Sequence, residues 1–598
     1  MSSLSRFVML WTLLLCVALS SLACSTSATP APAKSSPAAV DQQGQAPTPL
    51  SAPAETGAAP TATTKAVEID PDQLFRVNLG GDPPTLDPSL AAWDVSYSVV
   101  ELVFEGLVKL DQDSKLRPAL AVEVPSQSNG GISADGKRYT FKLRSDASYS
   151  DGKLVTAKDF EFSLKRLLDP SLAAPYASSY YSIVGAEEYN RSKEKDPAKL
   201  KALRDSVGVS AKDDRTLEVV LKEPRASFLQ LAALWPAVPL REDLIKSTSA
   251  TDKPDRWTED PKRYLGTGPF KMAEWVHGDH ITLVPNENYY GSKPKLKKLV
   301  LTMVSDAQAE YAAFLSGERE IGKLPTALFE QARKDPNLSK QLVRAPRLST
   351  LGLMFNHKEK PLDNVKVRQA LSTAIDRDTL IEKVQQGVNR PAYSWIPPGV
   401  PGHQPDLGKQ YRLDAAKAKQ LLAEAGYPAG QGLPPLTLQF PNVRNNASMA
   451  QFLQEQWKVH LGIEVKLDPM EARAYAQAME KGQYTMGFLT FNGDYPDPDN
   501  WLPEIFASGV ANNFTYYSNP RLDELMKRAI GEQDEKKRLT MWEDAQKMVV
   551  DDAVMAFILH QEYYFLLPSH VKDMYVTSMD GGAIPGRRSL GQVWLAKK

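Results

Sequence analysis

The chain has 598 residues, 42% of them hydrophobic and 24% charged. A single hydrophobic core stops growing at roughly 250–300 residues, so this length excludes one core and calls for two or more lobes. Lys and Arg (71) balance Asp and Glu (72) to a formal charge of -1, which excludes an overall basic footprint of a nucleic-acid binder and leaves only a local patch on one lobe open.

Arg6 precedes an almost wholly apolar run from Val8 to Leu19. The run is shorter than the roughly 20 residues that span a bilayer, so residues 1–23 read as an export signal. It ends at Ser21-Leu22-Ala23-Cys24, and a small residue followed by Cys resembles a bacterial lipobox. Ser21 stands where that pattern favours Leu, and Cys24 is the expected diacylated residue. Cys16 lies within the signal, so the mature chain would keep only Cys24, with neither a disulfide nor a thiolate metal site. Residues 24–65 hold the lipid anchor site and a stretch rich in Pro, Ala, Ser and Thr. That stretch has too few large apolar groups to repay its ordering entropy and reads as a tether. Residues 66–598 are the folded part.

Within it the hydrophobic period switches between two and 3.6. Phe75, Val77 and Leu79 alternate up to Gly80-Gly81 and predict a strand. Tyr139, Phe141 and Leu143 do so after Asp135-Gly136, and Leu217, Val219 and Leu221 after Asp213-Asp214. Ile281 and Leu283 follow a Gly278-Asp279 turn. Thr156 predicts an N-cap for a helix carrying Phe160, Ser163 and Leu164. The charge-rich stretch from Arg191 to Asp205 reads as a solvated face. Val367, Ala370, Leu371, Ala374 and Ile375 share one helical face, and Gly426 follows Leu421, Leu422 and Ala425 as a C′ glycine. Interleaved strands and helices place the chain in the α/β or α+β class.

Five blocks carry a resemblance. They are Asp82-Pro83-Pro84-Thr85-Leu86-Asp87-Pro88 with Phe104-Glu105-Gly106-Leu107; Tyr139 to Arg144 running on to Tyr149-Ser150-Asp151-Gly152 and Thr156 to Phe160; Gly266-Thr267-Gly268-Pro269-Phe270 with Asn286 to Tyr290; Phe355-Asn356 and Pro361 through Asp376; and Gly493-Asp494-Tyr495-Pro496-Asp497-Pro498. In this order, from about residue 72 to the C-terminus, the chain resembles the bacterial oligopeptide- and dipeptide-binding proteins. The resemblance implies an α/β clamshell of two lobes with an extra subdomain. Lobe I would take residues 66–115, 262–350 and 559–598, the subdomain 116–261, and lobe II 351–558. It implies a non-enzymatic monomer without cofactor that captures peptides and delivers them to the permease and ATPase subunits of an ABC importer. Relatives of the same fold bind oligosaccharides, opines or nickel complexes, and a surface peptide sensor or chaperone is a further alternative.

The resemblance also assigns residues. Asp494 would pair with the peptide α-amino group, with Tyr176 beside it. Phe491 would line a side-chain pocket where the oligopeptide binder has Trp. Backbone groups of Ala92, Trp93 and Asp94 and of Thr490, Phe491 and Asn492 would take the peptide as an added strand. The family's basic residues for the peptide carboxylate align with Asn446, Met479 and Phe488, none of them cationic. Arg390, Arg444 and Arg473 lie nearby in sequence as substitutes. No P-loop, G-x-S-x-G or H-E-x-x-H pattern occurs, so transport energy would come from separate subunits. His277-Gly278-Asp279-His280 reads as a surface hairpin turn rather than a metal site, and Asp494, Asp497 and Asp499 lack the glycine of a calcium loop.

Overall fold

The computed structural model describes residues 67–246, 255–443, 445–580 and 582–598. The signal segment, Cys24, the tether and Arg444 lie outside the described residues. Among the described residues no helix is long and apolar enough to cross a membrane.

The strand Leu74–Asn78 runs parallel to Lys298–Thr302, and His280–Pro285 and Phe270–Val276 extend that sheet antiparallel. Phe75 and Val77 point to one side and are fully buried, as the period of two requires. A second sheet joins Arg138–Lys142, Thr216–Val220 and Val209–Asp213. The helix Ala157–Leu167 packs on it. At the start of that helix the Asp159 carboxylate accepts from both the N–H (2.7 Å) and the hydroxyl (2.9 Å) of Thr156. The helix Pro197–Asp205 buries none of its residues, as its charge pattern predicts. The two sheets share one hydrophobic core.

The largest sheet has seven strands. Its order is Gly322–Lys323, Met555–Leu566, Leu342–Phe355, Met486–Asn492, Leu436–Pro441 and Val465–Met470, with Arg390–Pro391 also against Met555–Leu566. Leu351, Leu353 and Phe355 enter one core while Leu348 and Met354 enter another, so the sheet is covered on both faces. The helices Val365–Thr373, Ala415–Glu424 and Asn446–Leu461 supply the first of these cores. Pro503–Phe506, Pro520–Gly531 and Glu535–Asp551 supply the second. Leu342–Phe355 and Met555–Leu566 are the longest strands, at 14 and 12 residues, and pair antiparallel. Their register slips between Pro346 and Thr350 and again between Leu351 and Gly352. Bulges of this kind bend a strand pair. Buried His560 binds the Thr350 hydroxyl (2.9 Å) beside the first slip, and burial pushes the imidazole down to about 3.

The sequence blocks meet in space. The Thr267 hydroxyl donates to Glu105 O and accepts from Glu105 N–H, both at 2.9 Å. The Glu105 carboxylate accepts from the Tyr289 and Tyr290 hydroxyls at 2.9 and 2.5 Å. Gly266 passes so close to the chain that an added Cβ would lie 1.9 Å from the Val103 carbonyl oxygen. Asp87, fully buried, is paired with Arg166 at 2.6 Å and accepts from Trp257 Nε1 at 3.1 Å. These residues hold the scaffold and leave the site to others.

Candidate functional site

Asp494 stands two residues beyond the strand Met486–Asn492. Asn500 fixes the turn that follows, its side-chain oxygen accepting from the N–H groups of Asp494 (2.7 Å) and Tyr495 (3.4 Å). The Tyr176 hydroxyl donates to Asp494 Oδ1 at 3.1 Å. Tyr176 is set by its ring, edge-on to Trp235 at 5.0 Å, and Trp235 stacks on Tyr97 at 4.4 Å. Trp235 Nε1 donates to Ala91 O at 2.7 Å, which ties this aromatic row to the segment Ala92-Trp93-Asp94. The structure thus brings Tyr176 and Asp494 into direct contact from positions 318 residues apart.

Asp494 is half-buried by surface area yet densely ringed by protein. Desolvation pushes its carboxyl up to about 6, and the Tyr176 hydrogen bond offsets only part of this. Among the described residues no cation pairs with it. Glu504 lies alongside, its Oε1 accepting weakly from Asn500 Nδ2 at 3.4 Å. Burial, then Asp494, then Asp499 push its carboxyl up to about 7. Sequence reasoning missed Glu504, because a single Glu in a short helix carries no signal. The neighbouring acids differ. Asp499 is paired with Arg225 at 2.8 Å and bound by the Ser227 hydroxyl, and Asp497 is paired with Arg538. Of the three acids that the calcium reading grouped, Asp497 and Asp499 are therefore committed to guanidinium partners and Asp494 is not.

The strand leading to Asp494 has one open edge. Leu436–Pro441 pairs with it only at Met486 and Gly487. Gly493 N–H donates to Leu348 O at 2.8 Å. By the alternation of an antiparallel ladder, Phe491 then bonds inward and Thr490 and Asn492 direct N–H and C=O outward. Both of these residues are exposed. Phe491 packs edge-on to Trp501 at 5.1 Å and near Trp395 at 6.0 Å. Trp93 is exposed, and its carbonyl accepts from Ser96 and Tyr97 N–H as the helix Asp94–Val103 begins.

The residues aligned with the carboxylate end give no cation. The Asn446 side chain donates to Pro441 O at 3.0 Å, and Met479 and Phe488 are buried. Arg390 is committed to Glu562, which Arg344 also pairs with. Arg473 lies at the start of the helix Ala472–Lys481.

The profile of bacterial extracellular solute-binding proteins, family 5 Middle, matches residues 115–513. The oligopeptide-binding protein OppA of Bacillus subtilis (strain 168) is 32% identical over 524 residues, 86% of this chain and 90% of the relative. The dipeptide-binding protein DppE of the same organism is 32% identical over 492 residues, 81% of this chain and 86% of the relative. Among solved structures, the unliganded open form of the periplasmic murein tripeptide binding protein MppA superposes with a TM-score of 0.77 at 26% identity. That match covers 89% of this chain and 99% of the other. Haemophilus influenzae OppA in complex with RPPGFSPFR gives 0.63 at 26% identity, covering 89% and 100%.

Proposed function

This chain belongs to the bacterial extracellular solute-binding proteins of family 5, and from that premise we propose that it captures oligopeptides or dipeptides by their amino end and delivers them to an ABC importer. One observation carries the reading: a desolvated carboxylate, Asp494, held by Tyr176 and lacking a cation among the described residues, stands at the end of an open strand edge. A peptide α-ammonium supplies the missing charge, and a charge-assisted bond in such surroundings is roughly twice as strong as a neutral one. The outward N–H and C=O groups of Thr490 and Asn492 then take the peptide backbone as an added strand, with Ala92 and Trp93 on its far side. Phe491 lines a side-chain pocket, its ring held edge-on against the buried Trp501. All of these groups recognise features common to every peptide, and the chain acts by binding, not catalysis.

In this reading the protein works outside the cytoplasm as a monomer, held to the membrane by a diacylated Cys24 and swinging on the residue 24–65 tether. Its partners are the permease and ATPase subunits of the importer. The test is calorimetry with tri-alanine and its N-acetyl derivative. The wild type binds tri-alanine and rejects the acetylated peptide. Asp494→Asn loses about 3 kcal/mol of affinity for the free amine. Equal affinity for the two peptides overturns the reading.

A further inference from the structure

Beyond Asp494 the chain turns through Pro498–Asn500 into the short helix Pro503–Phe506. Ile505 and Phe506 enter the core beneath, which leaves Glu504 half-buried at its rim. Asn500 lies four residues before Glu504 and serves both ends of this segment. Its side-chain oxygen accepts from Asp494 N–H at 2.7 Å, while its amide nitrogen donates to Glu504 Oε1 at 3.4 Å. A single carboxamide therefore separates the backbone of Asp494 from the carboxylate of Glu504. Trp501 packs under Gly493, where an added Cβ would lie 2.8 Å from the ring, and edge-on to Phe491. The indole thus joins Phe491 and the Asp494 turn to the chain that leads into Glu504.

The segment from Asp494 to Glu504 carries four carboxyls, those of Asp494, Asp497, Asp499 and Glu504. Two guanidiniums answer them. Arg538 is taken by Asp497, and Arg225 bonds Asp499, Ser227 and the Tyr495 hydroxyl. Arg225 also acts on Glu504 from a distance, without an ion pair between them. Among the described residues Glu504 makes no ion pair, and its hydrogen bond is the long one from Asn500. The carboxyl pushed up to about 7 reflects the same shortage of positive charge. An α-ammonium at Asp494 supplies one of the two missing cations and leaves Glu504 without the other.

We infer that Glu504 takes a second cation of the ligand, the ammonium or guanidinium of a lysine or arginine at the first position of the peptide, and that this chain prefers peptides with a basic first residue. The inference rests on the amino-end reading of Asp494. The first side chain branches from the carbon that bears the α-ammonium, so it is the one that starts beside Asp494. A long basic side chain lays its methylene stem on apolar surface and keeps its charged head with polar partners. Here Phe491 offers the surface, and Glu504 receives the head in a charge-assisted bond. A neutral first residue of equal length makes the first of these contacts and not the second.

The probes are Lys-Ala-Ala, Arg-Ala-Ala, norleucine-Ala-Ala and Nε-acetyl-lysine-Ala-Ala, with Ala-Lys-Ala to move the cation one residue along. Affinities are measured by calorimetry at neutral pH for the wild type, Glu504→Gln and Glu504→Thr, with thermal melts to verify folding. The wild type binds Lys-Ala-Ala and Arg-Ala-Ala about 10- to 100-fold more tightly than the norleucine and acetyl-lysine peptides. Either variant brings that ratio below about threefold, and Ala-Lys-Ala shows no comparable gain. A wild-type ratio below about twofold, a ratio that survives in a folded variant, or an equal gain from Ala-Lys-Ala overturns the inference and leaves the amino-end reading in place. Equal binding of norleucine-Ala-Ala and its Nα-acetyl derivative overturns the amino-end reading and the inference with it. A wild type that binds none of the probes overturns both.

Discussion

At the residue scale, two carboxyls without cations set the pH behaviour of the site. Asp494, pushed up to about 6, is only about one-tenth ionised at pH 5. Only its ionised form pairs with an ammonium. Affinity for tri-alanine therefore rises about tenfold between pH 5 and pH 7, and Asp494→Asn flattens the profile. Calorimetry in two buffers of different ionisation enthalpy also detects proton release near pH 6. The ligand-free protein shows the opposite trend in stability. Because the folded pKa lies above the unfolded one, the folded state binds the extra proton between about 4 and 6, and stability falls as pH rises through that window. Asp494→Asn also removes the like charge beside Glu504 and brings that carboxyl down from about 7, followed by NMR titration. Asp494 was legible as a candidate through the block Gly493 to Pro498, and Tyr176 only through the family resemblance. Glu504 was not, because its role depends on which neighbours are already paired, and pairing is set by contacts among distant segments.

At the element scale, the segment 224–227 is tied to the segment that carries the site. Arg225 bonds Asp499 and the Tyr495 hydroxyl (3.0 Å), and Ala226 N–H donates to Ile530 O at 3.1 Å. Removing one partner of a buried pair leaves the other charge stranded. Arg225→Met is thus expected to cost about 3–5 kcal/mol in urea unfolding, while Arg225→Met with Asp499→Leu recovers much of it. Gly266→Ala puts a methyl against the Val103 carbonyl oxygen, where no side-chain motion relieves the clash. It is expected to yield little soluble protein, measured against Gly278→Ala, whose Cβ meets open space at a strained φ of +74. The alternating strands, the Thr156 helix start and Gly426 were readable because each is a local signal. The order of the seven-stranded sheet was not, since strands such as Met486–Asn492 acquire their neighbours through long-range pairing.

At the scale of the whole molecule, the two long strands connect the part of the sheet beside Gly322–Lys323 to the part beside Met486–Asn492, and both of their register slips lie between these ends. A pair bent there can flex without breaking its ladder. The stronger likeness is to an unliganded open form, with a TM-score of 0.77 against 0.63 for a peptide complex. Saturating tri-alanine is accordingly expected to reduce the radius of gyration in X-ray scattering, and Asp494→Asn to abolish the change. More than one lobe followed from length and two from the family resemblance, but the place of bending did not, because a bulge has no composition of its own. The open edge of Met486–Asn492 has a second consequence. An unpaired strand edge is a template for another copy of the same chain, the first step toward aggregation. Here the ladder that would recruit a neighbour is short, with Leu436–Pro441 at one end and the Tyr176–Asp494 contact at the other. The feature that admits an extended guest also limits its length of contact, and so guards the empty protein against itself.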